Sequence, residues 1–231
     1  MNATSIAYTA SVWVLPVLFA VTLHEAAHGW VAWRLGDDTA YQMGRVTFNP
    51  FRHIDPFGTV ILPAMMLLAS GGSIMFGAAK PVPVNFGRLG QPRRDMVLVA
   101  AAGPFSNVVM ALAAAGALHG LDLLSGDFQR WVTVNLINMI WFNCILCVFN
   151  LIPIPPLDGG RIAVGLLPGP LARPLAGLER SGIFIILGAI FVLPWLGREL
   201  NMDLNVFGWL IGEPARALME LIVRLVGFDF G

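Results

Sequence analysis

The chain has 231 residues, of which 57% are hydrophobic and only 12% charged, against roughly 45–50% and about 25% in soluble domains. So few charges cannot coat a water-facing surface, and part of the surface must face lipid. Fourteen basic against fourteen acidic residues leave no basic field for nucleic acid, and two cysteines three apart make no disulfide framework.

The reading that follows is an all-α polytopic membrane protein. Residues 1–33 carry no Lys or Arg ahead of the apolar run, unlike the basic start of a secretory signal. The run at 6–33 exceeds the roughly 20 residues that cross a hydrocarbon core. Its strongly polar interruption is His24, Glu25 and His28. Further spanning candidates are 96–118, 132–150 and 181–196. Ala-Ala-Gly repeats and the pair Gly116 and Gly120 suggest close helix packing in mid-protein.

The apolar stretch 56–69 is only fourteen residues long, holds Pro63 and ends in Ser70-Gly71-Gly72. That length fits a re-entrant or short membrane insert better than a crossing. If it turns back, residues 34–95 lie on one side with Arg34, Arg45, Arg52, Lys80, Arg88, Arg93 and Arg94. The 151–180 region adds Arg161, Arg173 and Arg180 to that side, while the other side has Arg130 between the third and fourth apolar segments. This bias puts the 34–95 and 151–180 loops in the cytoplasm.

Between Tyr41 and Phe86, Gly/Pro punctuation and the alternation Lys80-Pro81-Val82-Pro83-Val84 predict short cytoplasmic strand segments. Near the C-terminus, Glu213-Pro214 opens a helix. Arg216, Glu220 and Arg224 recur there on one face, with Leu218, Leu221, Ile222 and Leu225 on another. That amphipathic pattern predicts an interfacial helix over 213–227.

His24-Glu25-Ala26-Ala27-His28 fits H-E-x-x-H on a helix. The i, i+4 spacing stacks both imidazoles on one face, near enough to chelate one metal ion. Glu25 lies about 100° round the helix, beside the metal and free to take a proton from water. The bland alternative, two histidines hydrogen-bonded in a bundle, must explain three ionisable groups in one spanning helix, at roughly 2–3 kcal/mol or more per charge.

Catalytic zinc keeps three protein ligands. His53 lies in the basic loop and His119 at the far end of an apolar segment, so Asp158 is the better third candidate. It follows an apolar helix broken by Pro153, Pro155 and Pro156 and precedes Gly159 and Gly160. A carboxylate at membrane depth needs a cation, which Arg161 could also supply. Cys144 and Cys147 read as small buried hydrophobes. Asn107 and Asn150 could hydrogen-bond an extended substrate or tie helices together.

These motifs resemble the site-2 protease family of intramembrane zinc metalloproteases. His24, Glu25 and His28 match its HExxH. Gly103, Pro104 and Asn107 match its Gly-Pro-x-x-Asn element, and Asn150, Pro153, Asp158 and Gly159 match its Asn-x-x-Pro-x-x-x-x-Asp-Gly. The order is the family's, and the motifs cover residues 8–165. The resemblance implies one Zn2+ per chain on His24, His28 and Asp158, with Glu25 as catalytic acid/base. It implies a multi-pass protein of the cell inner membrane whose site opens toward the cytoplasm. The implied partners are the lipid bilayer and a transmembrane protein substrate, cleaved near the cytoplasmic face in regulated intramembrane proteolysis.

No PDZ domain fits between the motifs and no CBS pair follows, so the chain looks like the short bacterial form. It reads as a single membrane-embedded metalloprotease domain over 1–231, with membrane or interfacial helices at 181–227. Family parity sets the HExxH and Asn107 helices antiparallel, so the insert at 56–79 should return to the side it left. Residues 49–58 resemble that short subgroup, and His53 is an accessory candidate. Pro81, Val82 and Pro83 are candidates to pair with an unwound substrate backbone by β-augmentation. Two rivals remain: a zinc-binding transporter or sensor without peptidase activity, and a structural helix bundle that binds no zinc.

Overall fold

The computed structural model describes residues 3–53 and 80–228, the side chains of 3–6 apart. The first helix, α1 (Ala3–Arg34), is apolar on every side, as a spanning helix must be. Gly36 ends it at φ +110°, a conformation that favours glycine. The turn lets Asp37 N–H reach back to Ala32 O at 2.9 Å, which closes the helix in a Schellman-type cap. A short helix α2 (Thr39–Gln42) follows.

Pro92 opens α3 (Pro92–Ala117), where its missing N–H costs nothing. Asp95 helps the start by accepting Gln91 N–H at 2.7 Å. Then come α4 (Gly126–Asn150), α5 (Asp158–Leu166) and α6 (Gly169–Ala176). Helices α7 (Gly182–Leu187) and α8 (Leu193–Glu199) are joined through one wide π turn. The last helix is α9 (Glu213–Leu225).

Four helical stretches are long and apolar enough to cross a membrane: Ala7–Arg34, Pro92–Leu123, Gly126–Asn150 and Gly182–Glu199. They match the four expected spans. Helix α3 lies at the centre, against α1, α4 and α5. Its Ala111, Ala114 and Ala115 meet Ile140 and Cys144 of α4 and Ala215 and Ile222 of α9. Both cysteines are buried free thiols of α4, and the sequence holds no second Cys pair.

Two expectations need correction. A Cβ at Gly116 or Gly120 would meet nothing within 4 Å, so those glycines do not mark the close approach. It lies one helical stretch earlier, at Gly103. Among the described residues there is no strand. Pro81 and Pro83 lack an N–H, and the donors of Val82 and Asn85 go to side-chain carboxylates instead of a neighbouring strand. Part of the apolar face of α9, Ala215 and Ile222, packs onto α3 and α4, while Leu221 and Leu225 of the same face stay exposed.

The expected insert at 56–79 lies outside the described residues, but its flanks do not. Lys80 N–H donates to His53 O at 3.0 Å, and Gly90 N–H to Leu35 O at 3.1 Å. The end of α1 therefore adjoins the start of α3, and the two helices run antiparallel. Cysteines placed at the exposed positions Arg52 and Arg88 should label from one side of the membrane in intact cells. Opposite accessibility would overturn the antiparallel pairing of the first two spans.

Candidate metal centre

Helix periodicity puts His24 and His28 on the face of α1 that meets α3. A third group arrives from the opening residue of α5, Asp158. All three are buried. His24 Nε2 and His28 Nε2 are 3.1 Å apart, and Asp158 Oδ2 is 3.3 Å from each. No other group of three His, Cys, Asp or Glu that could hold a metal occurs among the described residues.

The protons on these rings follow from their outer partners. His28 Nδ1 lies 2.7 Å from Val99 O, an atom that can only accept, so Nδ1 carries the proton. His24 Nδ1 lies 2.6 Å from Asn107 Oδ1, and the amide's orientation is fixed by a chain of contacts. Asn143 Nδ2 donates to Met139 O at 2.8 Å, which leaves Asn143 Oδ1 to accept from Asn107 Nδ2 at 2.7 Å. Asn107 Oδ1 is then the acceptor for His24 Nδ1–H. Both Nε2 atoms keep bare lone pairs directed at each other and at a carboxylate oxygen that no hydrogen bond from the described residues reaches.

Three converging electron pairs in a buried space repel one another unless a cation joins them. A tetrahedral zinc with ligands at about 2.0–2.2 Å sets them about 3.3–3.5 Å apart, close to the 3.1–3.3 Å found. The two His and one carboxylate fit zinc, and ring N–H groups on oxygen acceptors are the usual outer arrangement.

Small residues make this convergence possible. A methyl at Gly103 would overlap His24 and His28, and Cβ atoms at Gly159 and Gly160 would strike the backbone of Leu151 and of Ile154–Pro155. The Gly-Pro-x-x-Asn element thus has two jobs one turn apart: room for the imidazoles, and a hook for His24. Asn107 is fully buried and has no surface on which to meet a substrate. Asn150 is half-buried, with Nδ2 on Leu146 O at 2.9 Å.

Glu25 is not in the ligand cluster. Its Oε2 accepts the N–H of Val82 at 2.7 Å, and nothing among the described residues bonds its other oxygen. Pro81 and Pro83 flank that contact. Arg161 pairs with Glu179 at 2.6 Å, not with Asp158. His119 Nε2 reaches Val226 O at 2.8 Å, far along the chain from the centre. His53 is buried, with Nε2 on Thr47 O at 3.1 Å, and burial holds its imidazole below the ordinary range.

Residues that sequence reasoning passed over complete the surroundings. Asn143 shares its apolar span with Asn135, Asn138 and Asn150, so its type alone does not single it out. Asp37 is buried and accepts Thr39 N–H, Thr39 Oγ1–H and Asn85 N–H. Burial pushes its carboxyl up, but these bonds and the Arg88 charge hold it below the ordinary carboxylate range. Arg45, buried at 5% exposure, sends Nη2 to Lys80 O at 2.6 Å and Pro81 O at 3.4 Å.

A family model described as Peptidase family M50 matches residues 123–193. A Bacillus subtilis protein named "Putative zinc metalloprotease YwhC" is 37% identical over 193 residues, 78% of this chain and 80% of its own. A Mycobacterium tuberculosis protein named "Putative zinc metalloprotease Rip2" is 30% identical over 195 residues, 84% of this chain and 68% of its own. The Rip2 of Mycolicibacterium smegmatis is 30% identical over 183 residues, 78% of this chain and 66% of its own. No solved structure matches.

Proposed function

We propose a reaction on one premise: this chain belongs to peptidase family M50. It is a metalloprotease that hydrolyses peptide bonds of transmembrane substrates near the cytoplasmic face, with one zinc per chain held by His24, His28 and Asp158. The observation that carries this reading is the buried convergence of two imidazole lone pairs and a carboxylate oxygen. His28 lies six residues before the end of α1, about 9 Å at 1.5 Å per residue. The centre is therefore near the side that bears the 34–95 loop, which the Lys/Arg bias assigns to the cytoplasm of the inner membrane.

Bound zinc supplies a Lewis acid for water and for a substrate carbonyl. The protein does the rest. Asn107, Asn143 and Val99 hold the two imidazoles in one tautomer. The Glu25 oxygen that does not meet Val82 takes a proton from the attacking water and returns it to the leaving amine. The substrate helix must unwind to expose its carbonyl. In residues 80–85, Val84 N–H and the carbonyls of Val82 and Val84 have no partner among the described residues. They offer backbone donors and acceptors to an unwound substrate beside Glu25.

The test uses purified protein in detergent and a synthetic transmembrane peptide. Zinc should be near one per chain, and cleavage should stop with a chelator and return with zinc. Stoichiometric zinc without cleavage would favour a transporter or sensor, and no zinc at all would favour a structural bundle.

A further inference from the structure

We infer that Arg45 is a positioning residue for Glu25, acting through the Pro81–Val82 peptide group. The inference rests on the reading of Glu25 as the proton acceptor. Pro81 and Pro83 have no N–H, so Val82 supplies the one backbone donor of residues 81–83, and that donor meets Glu25 Oε2. The carbonyl of the same peptide unit, Pro81 O, lies on Arg45 Nη2, which bonds Lys80 O more closely. A guanidinium and a carboxylate thus sit at opposite ends of one peptide dipole. Hydrogen bonds in such a series polarise one another.

Arg45 also ties the loop to Lys80 O, but among the described residues no carboxylate pairs with it and its buried Nε has no partner. A buried, unpaired cation is costly. Here its balancing charge is Glu25, reached through the backbone between them. Among the described residues the second Glu25 oxygen is left unbonded, as a base that takes a proton from water requires. A carboxylate free to rotate would lose part of that alignment, and small misplacements at a reacting centre cost up to about 100-fold.

Two measurements separate this role from general support of the loop. The first needs no activity. In 15N-valine-labelled protein, the Val82 amide proton, assigned by its absence from Val82→Leu, should lie downfield, as expected for a donor to a charged acceptor. It should move upfield in Glu25→Gln and in Arg45→Ala. Asp37→Asn loosens the same segment at Asn85 and should leave the Val82 signal in place. The second is kinetic. Arg45→Ala should lower kcat on the order of 10–100-fold, with zinc content and KM little changed, and Arg45→Lys should recover most of it.

A Val82 signal indifferent to Glu25→Gln or to Arg45→Ala would overturn the inference. So would equal kcat losses in Arg45→Ala and Asp37→Asn, or an Arg45→Ala loss that lies wholly in zinc or KM. If Arg45→Ala does not accumulate folded, Val82→Pro decides, because it removes the N–H that Glu25 accepts, and Val82→Ala controls for the lost side chain. Wild-type kcat in Val82→Pro overturns the proposal, and a comparable loss at full zinc supports it. A wild-type chain without peptidase activity would defeat the functional reading alone, since the amide signals still decide the contact.

Discussion

Glu25→Gln should reduce cleavage about 10²–10⁴-fold, the usual worth of a positioned general base, with zinc still near one per chain. The substitution is close to isosteric, and the amide oxygen of Gln can still accept Val82 N–H. What it removes is proton acceptance. Glu25 stands outside the ligand cluster, so the metal has no reason to leave. Zinc analysis and cleavage of one transmembrane peptide, measured on the same preparation, give both numbers. Substantial activity in the variant would identify another base. Parallel loss of zinc would mean that Glu25 is itself a ligand, contrary to the geometry.

The second large effect concerns a residue without a side chain. Alanine favours a helix over glycine by about 1 kcal/mol, so Gly103→Ala would ordinarily stabilise α3. Here the added methyl would overlap both ligand imidazoles. Neither ring can retreat easily, because Asn107 holds one and Val99 O the other. Zinc affinity should fall by more than the roughly 10–100-fold that loss of an outer-shell partner costs, and cleavage with it, while helix content is retained. Gly116→Ala on the same helix has open space around it and serves as the control. Normal zinc binding by Gly103→Ala would refute the packing described for the centre.

How much of this was visible in the sequence depends on how far each contact reaches. His24 and His28 are four residues apart, and helix periodicity alone faces them together. Three ionisable groups within one apolar run are conspicuous because lipid makes them expensive. Asp158 stood out for the same reason, and its glycines now have a concrete task against the backbone of Leu151 and Pro155. The four spans followed from length and hydropathy.

Other features depend on contacts between distant residues that no local pattern encodes. Arg45 meets Lys80 across 35 positions and Asp37 meets Asn85 across 48. The alternation at 80–84 is real, but its backbone bonds Glu25 of α1, Arg45 beyond α2 and the carbonyl of His53. It therefore runs beside Glu25 instead of joining a sheet. Gly116 and Gly120 resembled a packing motif by spacing, yet the neighbour that demands a glycine faces position 103. Asn107 and Asn143 are equally polar on paper. Only the packed helices show that they form one line ending at His24.

That line has a consequence for how the protein is made. The two imidazoles emerge with α1, their orienting groups with α3 and α4, and the carboxylate proposed as the third ligand only with the first residue of α5. During synthesis, the chain holds an incomplete cluster until more than two thirds of its length has been produced and the central helices have met. A metal that needs all three groups cannot settle firmly earlier, and where metal binding is linked to folding it stabilises the finished arrangement. Occupancy then serves as a record of completed assembly, and the nascent chain lacks a working hydrolytic centre among the neighbouring helices with which it is inserted.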